Sequence, residues 1–422
     1  MARHTLPTIR PARDGDGEAV LEAFGRVYGP LGGGQRTLQE WRWRYRDQPL
    51  GRRSMIAVAE DGRVLAHYGA LAQRALVDGR WTVFLQAVDS FCDPRARGGL
   101  ARGGLFARVG RAFERAFVGL PITAAPAANT ASAANVAPAA NLASVANPAP
   151  GPAVPDTDGT CPGGTGGADS QQSECGARGL ERAPFIWGLP VLPAWRSGRG
   201  QLGYGQLRQL LLLVGEVEQL EACEGSAGDS ATTVRELGPD ELPPNACDIL
   251  ARRLLMTRRV GVLRDRAWLA WRYRQRPAVE YHLALAERGG ELLGLAVARI
   301  IDTRAESQPW LLPAPFPGQL EAANPAGKCL VLCEWCVPAG EDARPVGRAL
   351  LAWARERAQA AGARSIHIHL GERSAEFQAL QAAGFKVRAT GRTVAARSFL
   401  PRRDLVWFAD HLEVSLGDTD LI

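Results

Sequence analysis

The sequence predicts an α/β (α+β) protein built twice over: two similar domains, each a mostly antiparallel mixed sheet flanked by helices. Three matches between distant segments carry this reading. Trp43-Arg44-Tyr45-Arg46-Asp47-Gln48-Pro49 recurs as Trp271-Arg272-Tyr273-Arg274-Gln275-Arg276-Pro277. Each is followed by two apolar stretches of strand length with a turn between them, 55–59 with 64–66 in one copy and 281–285 with 292–294 in the other. Leu202-Gly203-Tyr204 then answers Ala383-Gly384-Phe385 near the end of each copy.

The first copy opens with a short strand at Thr8-Ile9-Arg10. Ala19, Val20, Ala23, Phe24 and Val27 follow at helical spacing, with Asp14 and Asp16 at the end where acids suit the helix dipole. The Trp/Arg/Tyr segment reads as a helix stopped by Pro49. Asp61-Gly62 marks a hairpin, and a long strand runs from Trp81 to Cys92. A Gly/Arg-rich loop leads into an amphipathic helix over about 105–117. This copy occupies 5–120 and resumes over 183–215 with the strand around Phe185-Ile186-Trp187. Between them, Asn129, Asn135, Asn141 and Asn147 beat out a six-residue period in an Ala/Pro tract, and 151–179 is dominated by Gly, Pro, Ser, Asp and Thr. With no regular large aliphatic residue it cannot bury a core, so 121–182 reads as a disordered insertion. Residues 216–248 read as a polar linker, and the second copy spans 249–415 with a Pro/Ala-rich insertion of its own.

Composition narrows the function classes. The 422 residues are 46% hydrophobic, enough for real cores, and no apolar run approaches the ~18 to 20 residues of a membrane span. The first residues carry no apolar signal segment, so the expected location is cytoplasmic. Net charge is +6, carried almost wholly by arginine that is not clustered as in a nucleic-acid binder. Eight cysteines make no disulfide framework for a chain this long. Cys333-Glu334-Trp335-Cys336 is formally C-x-x-C, but it lies in a strand pattern where residues three apart face opposite sides, and no second pair completes a metal site. The expectation is no metal.

The segment with chemistry in it is 88–106, from Val88-Asp89-Ser90-Phe91-Cys92-Asp93-Pro94 through Arg95-Ala96-Arg97-Gly98-Gly99-Leu100-Ala101-Arg102-Gly103-Gly104 to Leu105-Phe106. It reads as strand, loop with four glycines and three arginines, then helix. Glycines let backbone amides approach a ligand closely. Amides at a helix N-terminus bind phosphate, and arginine adds bidentate contacts. No Gly-Lys-Ser/Thr follows, so it is not a Walker loop. The preceding hairpin implies an antiparallel sheet rather than a βαβ dinucleotide fold.

This order of elements, with the Arg/Gly loop and a late Leu-Gly-Tyr/Phe, resembles the GNAT acetyltransferase superfamily. That family's loop reads Gln/Arg-x-x-Gly-x-Gly/Ala after a strand and a proline. Pro94 and Arg95-Ala96-Arg97-Gly98 match its start, Leu100 stands where the second small residue belongs, and Arg102-Gly103-Gly104-Leu105 offers an alternative helix-opening turn. The resemblance implies an N-acetyltransferase with acetyl-CoA as acyl donor and a small-molecule or protein amine as acceptor. The pyrophosphate would lie on Arg95, Arg97, Gly98, Gly99, Arg102, Gly103, Gly104 and Leu105. An amide at Phe91 or Cys92 would polarise the thioester carbonyl. Asp89, the acid in an otherwise apolar strand, would accept the amine's proton, and Tyr204 would protonate the departing thiolate. The family often carries Asn after the fifth strand, where Val191 follows Gly188-Leu189-Pro190 here. Structural roles for Asp89 and Tyr204, and a non-catalytic acyl-CoA-binding or scaffold protein, are the alternative reading. A third option is an aminoacyl or long-chain acyl transferase.

The second copy lacks the paired-glycine loop. Ala339-Gly340-Glu341-Asp342 stands in its place, and these acids suit the start of a helix over 346–359 better than a pyrophosphate. It is expected to keep the fold and not the cofactor, with Glu334 a distant candidate for chemistry. His67 reads as a satisfied sheet histidine, and His367 and His369 alternate on one strand face without a third metal ligand. The Trp/Arg/Tyr helices, occurring at the same place in both copies, read as structural, with aromatics packed under the sheet and arginines snorkelling out.

Overall fold

The computed structural model describes residues 6–29, 36–96, 103–120, 181–220, 232–302 and 327–419. The segment 121–180 and loop residues Arg97, Gly98, Gly99 and Arg102 lie outside them. The first copy contributes β1 (Thr8–Pro11), α1 (Gly17–Tyr28), α2 (Leu38–Tyr45), β2 (Arg53–Val58), β3 (Val64–Val77), β4 (Arg80–Cys92), α3 (Leu105–Phe117), β5 (Phe185–Gly188), α4 (Leu192–Leu202) and β6 (Gly205–Glu216). The rest of the chain contributes β7 (Thr233–Glu236), α5 (Pro244–Met256), β8 (Val260–Val262), α6 (Arg266–Leu269) with a π-helical turn Ala270–Arg274, β9 (His282–Arg288), β10 (Glu291–Asp302), β11 (Lys328–Cys336), α7 (Ala343–Ala360), β12 (Ser365–Ile368), α8 (Ala375–Ala382), β13 (Lys386–Ser398) and α9 (Leu405–His411).

Among the described residues, thirteen strands join one sheet in the order β1-β2-β3-β4-β5-β13-β6-β12-β11-β10-β9-β7, with β8 added beside β3. Two pairs are parallel, β4 with β5 and β11 with β12, and the others are antiparallel. Read from its two edges toward the centre, the order is the same list twice, except that the last strands are exchanged. The strand that ends the first copy, β6, lies against β12, and β13 lies against β5. The exchanged strands pair with each other from Lys386↔Val214 to Ala396↔Gly205, which makes the two halves one sheet. Gly203 (φ 72°) and Gly384 (φ 98°) precede these strands in left-handed conformation, so the closing motif repeats glycine because both turns require it.

The repeated tryptophans meet at the centre of this arrangement. Trp43 and Trp271 stack with ring centroids 4.9 Å apart and planes at 15°. Trp43 Nε1 donates to the Trp271 carbonyl at 2.7 Å, and Trp271 Nε1 donates to the Trp43 carbonyl at 3.0 Å. The contact is its own mirror under a twofold exchange of the halves. Both rings are buried. Arg44, Arg272 and Arg276 lie over the Trp43 ring at 5.6, 5.6 and 5.3 Å.

Three expectations need correction. Arg44 and Arg272 do not snorkel: both are buried, because each has polar groups waiting for it inside. Arg272 donates to the Gly417 and Thr419 carbonyls, and Arg44 reaches the Asp89 carboxylate. Within the segment read as linker, Thr233–Glu236 forms β7, the edge strand beside β9. Four residues are too few to show an alternation. Helix α7 starts three residues before Val346, since Pro345 in a first turn removes an N–H that would be unpaired anyway.

Replacing either tryptophan by phenylalanine orphans one buried carbonyl, for an expected loss of about 1 to 3 kcal/mol in urea unfolding. The double variant is expected to show a coupling of at least ~0.5 kcal/mol; strict additivity would mean the two rings do not act as a unit.

Candidate functional site

The first half opens where β4 and β5 part. They pair from Phe84↔Phe185 to Ala87↔Gly188, after which β4 runs on to Cys92 alone on that side. Gly188 marks the parting point, and a Cβ there would lie 2.9 Å from the Ala87 carbonyl oxygen. On its other side β4 bulges: Phe91 faces His67 and Val88 faces Gly69, leaving Asp89 and Ser90 opposite Tyr68. Asp89 takes φ 50°, which this bulge accommodates and a regular strand forbids. Asp93 N–H donates to the Leu65 carbonyl at 2.7 Å. By the alternation of an antiparallel ladder, the Cys92 N–H then points away from β3, into the gap. Phe91 is the residue whose amide faces β3, and its ring packs on Phe24 and Tyr28 of α1.

Asp89 is held from several directions. The Tyr45 hydroxyl donates to Oδ2 at 3.0 Å, Arg36 reaches Oδ1 at 2.9 Å and Arg44 lies 4.0 Å from Oδ2. Burial by itself would raise this carboxyl's pKa, but Arg36, then Arg44, and the other donors outweigh it and hold it below the usual range. Burial and the Asp89 charge push the Tyr45 hydroxyl well above its ordinary value. The backbone at Asp89 is tied as well. His67 Nδ1 lies 2.7 Å from the Asp89 carbonyl, and Nε2 lies 2.7 Å from Ser54 Oγ. A carbonyl only accepts, so Nδ1 carries the proton and the serine hydroxyl donates to Nε2. Burial lowers the His67 pKa, keeping the ring neutral.

Tyr204 lies on the other face. Its hydroxyl is 2.8 Å from that of Tyr68, which packs on Phe106 and Phe113 of α3. Burial pushes Tyr204 well above its ordinary pKa, and the neighbouring Tyr68 adds to this. The α2 face thus carries Asp89 and the α3 face carries Tyr204, and the structure does not place them in contact. Of the loop residues, Arg95 is exposed just after Asp93, whose Oδ1 accepts the Arg95 N–H at 2.9 Å. Gly103 has open space around it, Gly104 is the N-cap of α3 with no side-chain cap, and Leu105 is buried in the first turn.

The second half repeats the lock with different residues. β11 and β12 pair from Cys329↔Ser365 to Leu332↔Ile368 and then part. The Tyr273 hydroxyl donates to Glu334 Oε1 at 2.8 Å, as Tyr45 does to Asp89, and Arg264 donates to Oε2 at 2.9 Å. Here the chain's segment 415–419 packs over the lock: Arg264 also binds Asp418, and a Cβ on Gly417 would collide with Tyr273 and Glu334. At the start of α7, Asp342 is paired with Arg288 at 2.7 Å. Sequence reasoning missed Arg36, Tyr45, Tyr68 and the Tyr273–Glu334 pair. The signal for the last was present: each copy has one tyrosine in the Trp-Arg-Tyr-Arg helix and one acid in its fourth strand.

His367 and His369 are both buried, His367 Nε2 lying 2.9 Å from Ser365 Oγ and His369 Nδ1 2.7 Å from the Leu211 carbonyl. Burial pushes each down from 6.5 to about 4. Between these values the unfolded chain binds protons that the folded chain refuses, so stability falls as pH drops from about 6.5 to about 4. The expected slope is up to about 1.4 kcal/mol per pH unit per histidine. Urea unfolding across this range checks it, and His367→Gln is expected to remove one proton's worth of slope.

No family model matches the chain, and no curated protein matches it by sequence. Solved structures do match its fold. One is a conserved protein from Enterococcus faecalis V583 described as a probable N-acyltransferase, at 11% identity and TM-score 0.54, covering 94% of this chain and 73% of that one. A GCN5-related N-acetyltransferase from Anabaena variabilis matches at 9% identity and TM-score 0.55, covering 93% and 73%. Another from Kribbella flavida matches at 14% and 0.51, covering 95% and 73%. With the internal repeat and the two parting strand pairs, this likeness shows that the chain has the GNAT fold, present twice in one sheet.

Proposed function

We propose that the chain is an acyl-CoA-dependent N-acyltransferase whose first half moves an acetyl group from acetyl-CoA to an amine by direct attack. The observation that carries the reading is the gap between β4 and β5 with the Cys92 N–H turned into it. The residues present suit the donor: Gly103 leaves room, and α3 begins with bare amides at Gly104 and Leu105, which favour a pyrophosphate. Arg95, Arg97, Gly98, Gly99 and Arg102 complete the anion site in this reading. Acetyl-CoA, when bound, supplies a thioester carbonyl.

The chain's own groups then have separate tasks. The Cys92 N–H stabilises negative charge developing on a carbonyl oxygen in the gap, without reorganising to do so. The Tyr204 hydroxyl, in contact with Tyr68, is assigned in this reading to give a proton to the departing thiolate, although burial raises its pKa and makes it a weak acid. Asp89 has both oxygens committed and a lowered pKa, so it is a poor proton acceptor in this arrangement; in this reading the proton lost by the amine passes to water, and Tyr204 is reprotonated from water. The task of Asp89 in this reading is to hold the bulge that aims the Cys92 amide. Those same committed oxygens are what favours the second reading, a binding or scaffold protein without turnover.

Calorimetric titration of acetyl-CoA into the wild type and Gly103→Asp tests the reading. A Cβ added at Gly103 would meet no atom within 4 Å, and an acid near a helix start does not destabilise it. The expected result is binding in the wild type and its loss in a folded variant; no heat with any acyl-CoA overturns the transferase. If turnover is found on an amine panel, Tyr204→Phe is expected to lower kcat about 10²-fold with little change in KM. An unchanged kcat would assign Tyr204 to packing alone.

A further inference from the structure

The second half has a cavity where its own strands part. It has a volume of about 70 Å³, lies between the ends of β11 and β12, is bordered by α5 and by residues 413–415, and is partly open to solvent. By the internal repeat this cavity corresponds to the gap between β4 and β5, and His369, directly after the last paired residue of β12, takes the place of Leu189.

His369 has an unused lone pair. It is 3% exposed and lines the cavity. Its Nδ1 must carry the proton, since it lies 2.7 Å from the Leu211 carbonyl. Its Nε2 is buried and has no hydrogen-bond partner among the described residues. A buried acceptor without a donor is costly, and a ligand N–H would satisfy it. The charges around the cavity point to the kind of donor. Glu334, Glu376 and Glu413 line it against Arg258 and Arg264. Arg258 pairs with Glu413 at 2.6 Å, and Arg264 with Glu334 at 2.9 Å and also with Asp418. Arg208 lies beside the imidazole and faces Glu372 as well as Glu413, and Arg373 pairs with Asp410; with these counted, Glu376, half-buried in the first turn of α8, is still left as an acid in excess.

We propose that the cleft of the second half binds a small aliphatic amine in its ammonium form, with His369 Nε2 accepting one N–H and Glu376 balancing the charge. The inference is independent of the acyl-transfer reading, because it concerns the other cleft and is tested without acyl-CoA. Putrescine is the probe, and 1,4-butanediol, which has the same length and also donates hydrogen bonds, is its uncharged control. Titration of putrescine into the full chain is expected to release or absorb heat and raise the thermal midpoint, and to shift the ¹⁵N signal of His369 Nε2. The diol is expected to bind at least about ten-fold more weakly, and Glu376→Gln to weaken putrescine by about ten-fold, as loss of one charge partner would. His369→Phe is expected to abolish binding; should it not fold, Glu376→Gln and the histidine signal decide alone. No binding to the wild type up to roughly 10 mM, equal binding of the diol, or unchanged binding by Glu376→Gln would overturn the proposal.

Discussion

The sheet depends on a contact that is its own complement. Trp43 gives its indole N–H to the Trp271 carbonyl and receives the same in return, with the rings stacked between. Such an isologous contact is usual between subunits and here operates within one chain. It fixes the halves face to face, and the exchange of β6 and β13 then makes them inseparable. Because β6 completes the second half and β13 the first, neither half would have its own central edge covered alone. A duplicated domain that swaps its closing strands becomes one cooperative unit, joined further by β8 on β3 and by Gln73 bonded to Asp418.

From that axis the Trp/Arg/Tyr helices reach outward to each fourth strand. The tyrosine two residues after each tryptophan bonds a carboxylate there, Asp89 or Glu334. Burying a carboxylate demands partners, and the arginines supply them. This explains why the repeat keeps polar and aromatic residues together in a buried helix. The same lock has different surroundings in the two halves. At Asp89 the third partner is Arg36, which leads into α2, and the strand beyond stays open. At Glu334 the space is taken by residues 415–419, where only glycine fits at 417.

Much of this was legible in the sequence, and what was not has physical reasons. The hairpin at Asp61-Gly62, β4 and α3 follow from periodicity and turn chemistry, which are local; the repeat follows from matching segments, and the likeness to the GNAT superfamily from the order of elements and the Arg/Gly loop. The exchange of β6 and β13 was invisible, because a strand's sequence states that it pairs and not with which partner. Asp89 was legible as an unusual buried acid, but its partners were not: Tyr45 and Arg44 lie 44 and 45 residues away and belong to a helix whose pattern places its arginines outside. Tyr204 was legible from its place after Gly203, whereas its partner Tyr68 looked like any strand aromatic. The parting of β4 from β5 also left little trace beyond Gly188.

The halves differ most where ligand charge is decided. The helix after β4 begins with Gly103 and Gly104, so its amides and dipole are available to an anion. The helix after β11 begins at Asp342, whose carboxylate is bound to Arg288, so the same position already holds a negative charge. The cavity beyond it is lined by more acids than arginines and by an imidazole whose Nε2 can only accept. One fold, copied and then altered at two helix starts and one strand end, thus carries different charges at its two corresponding positions.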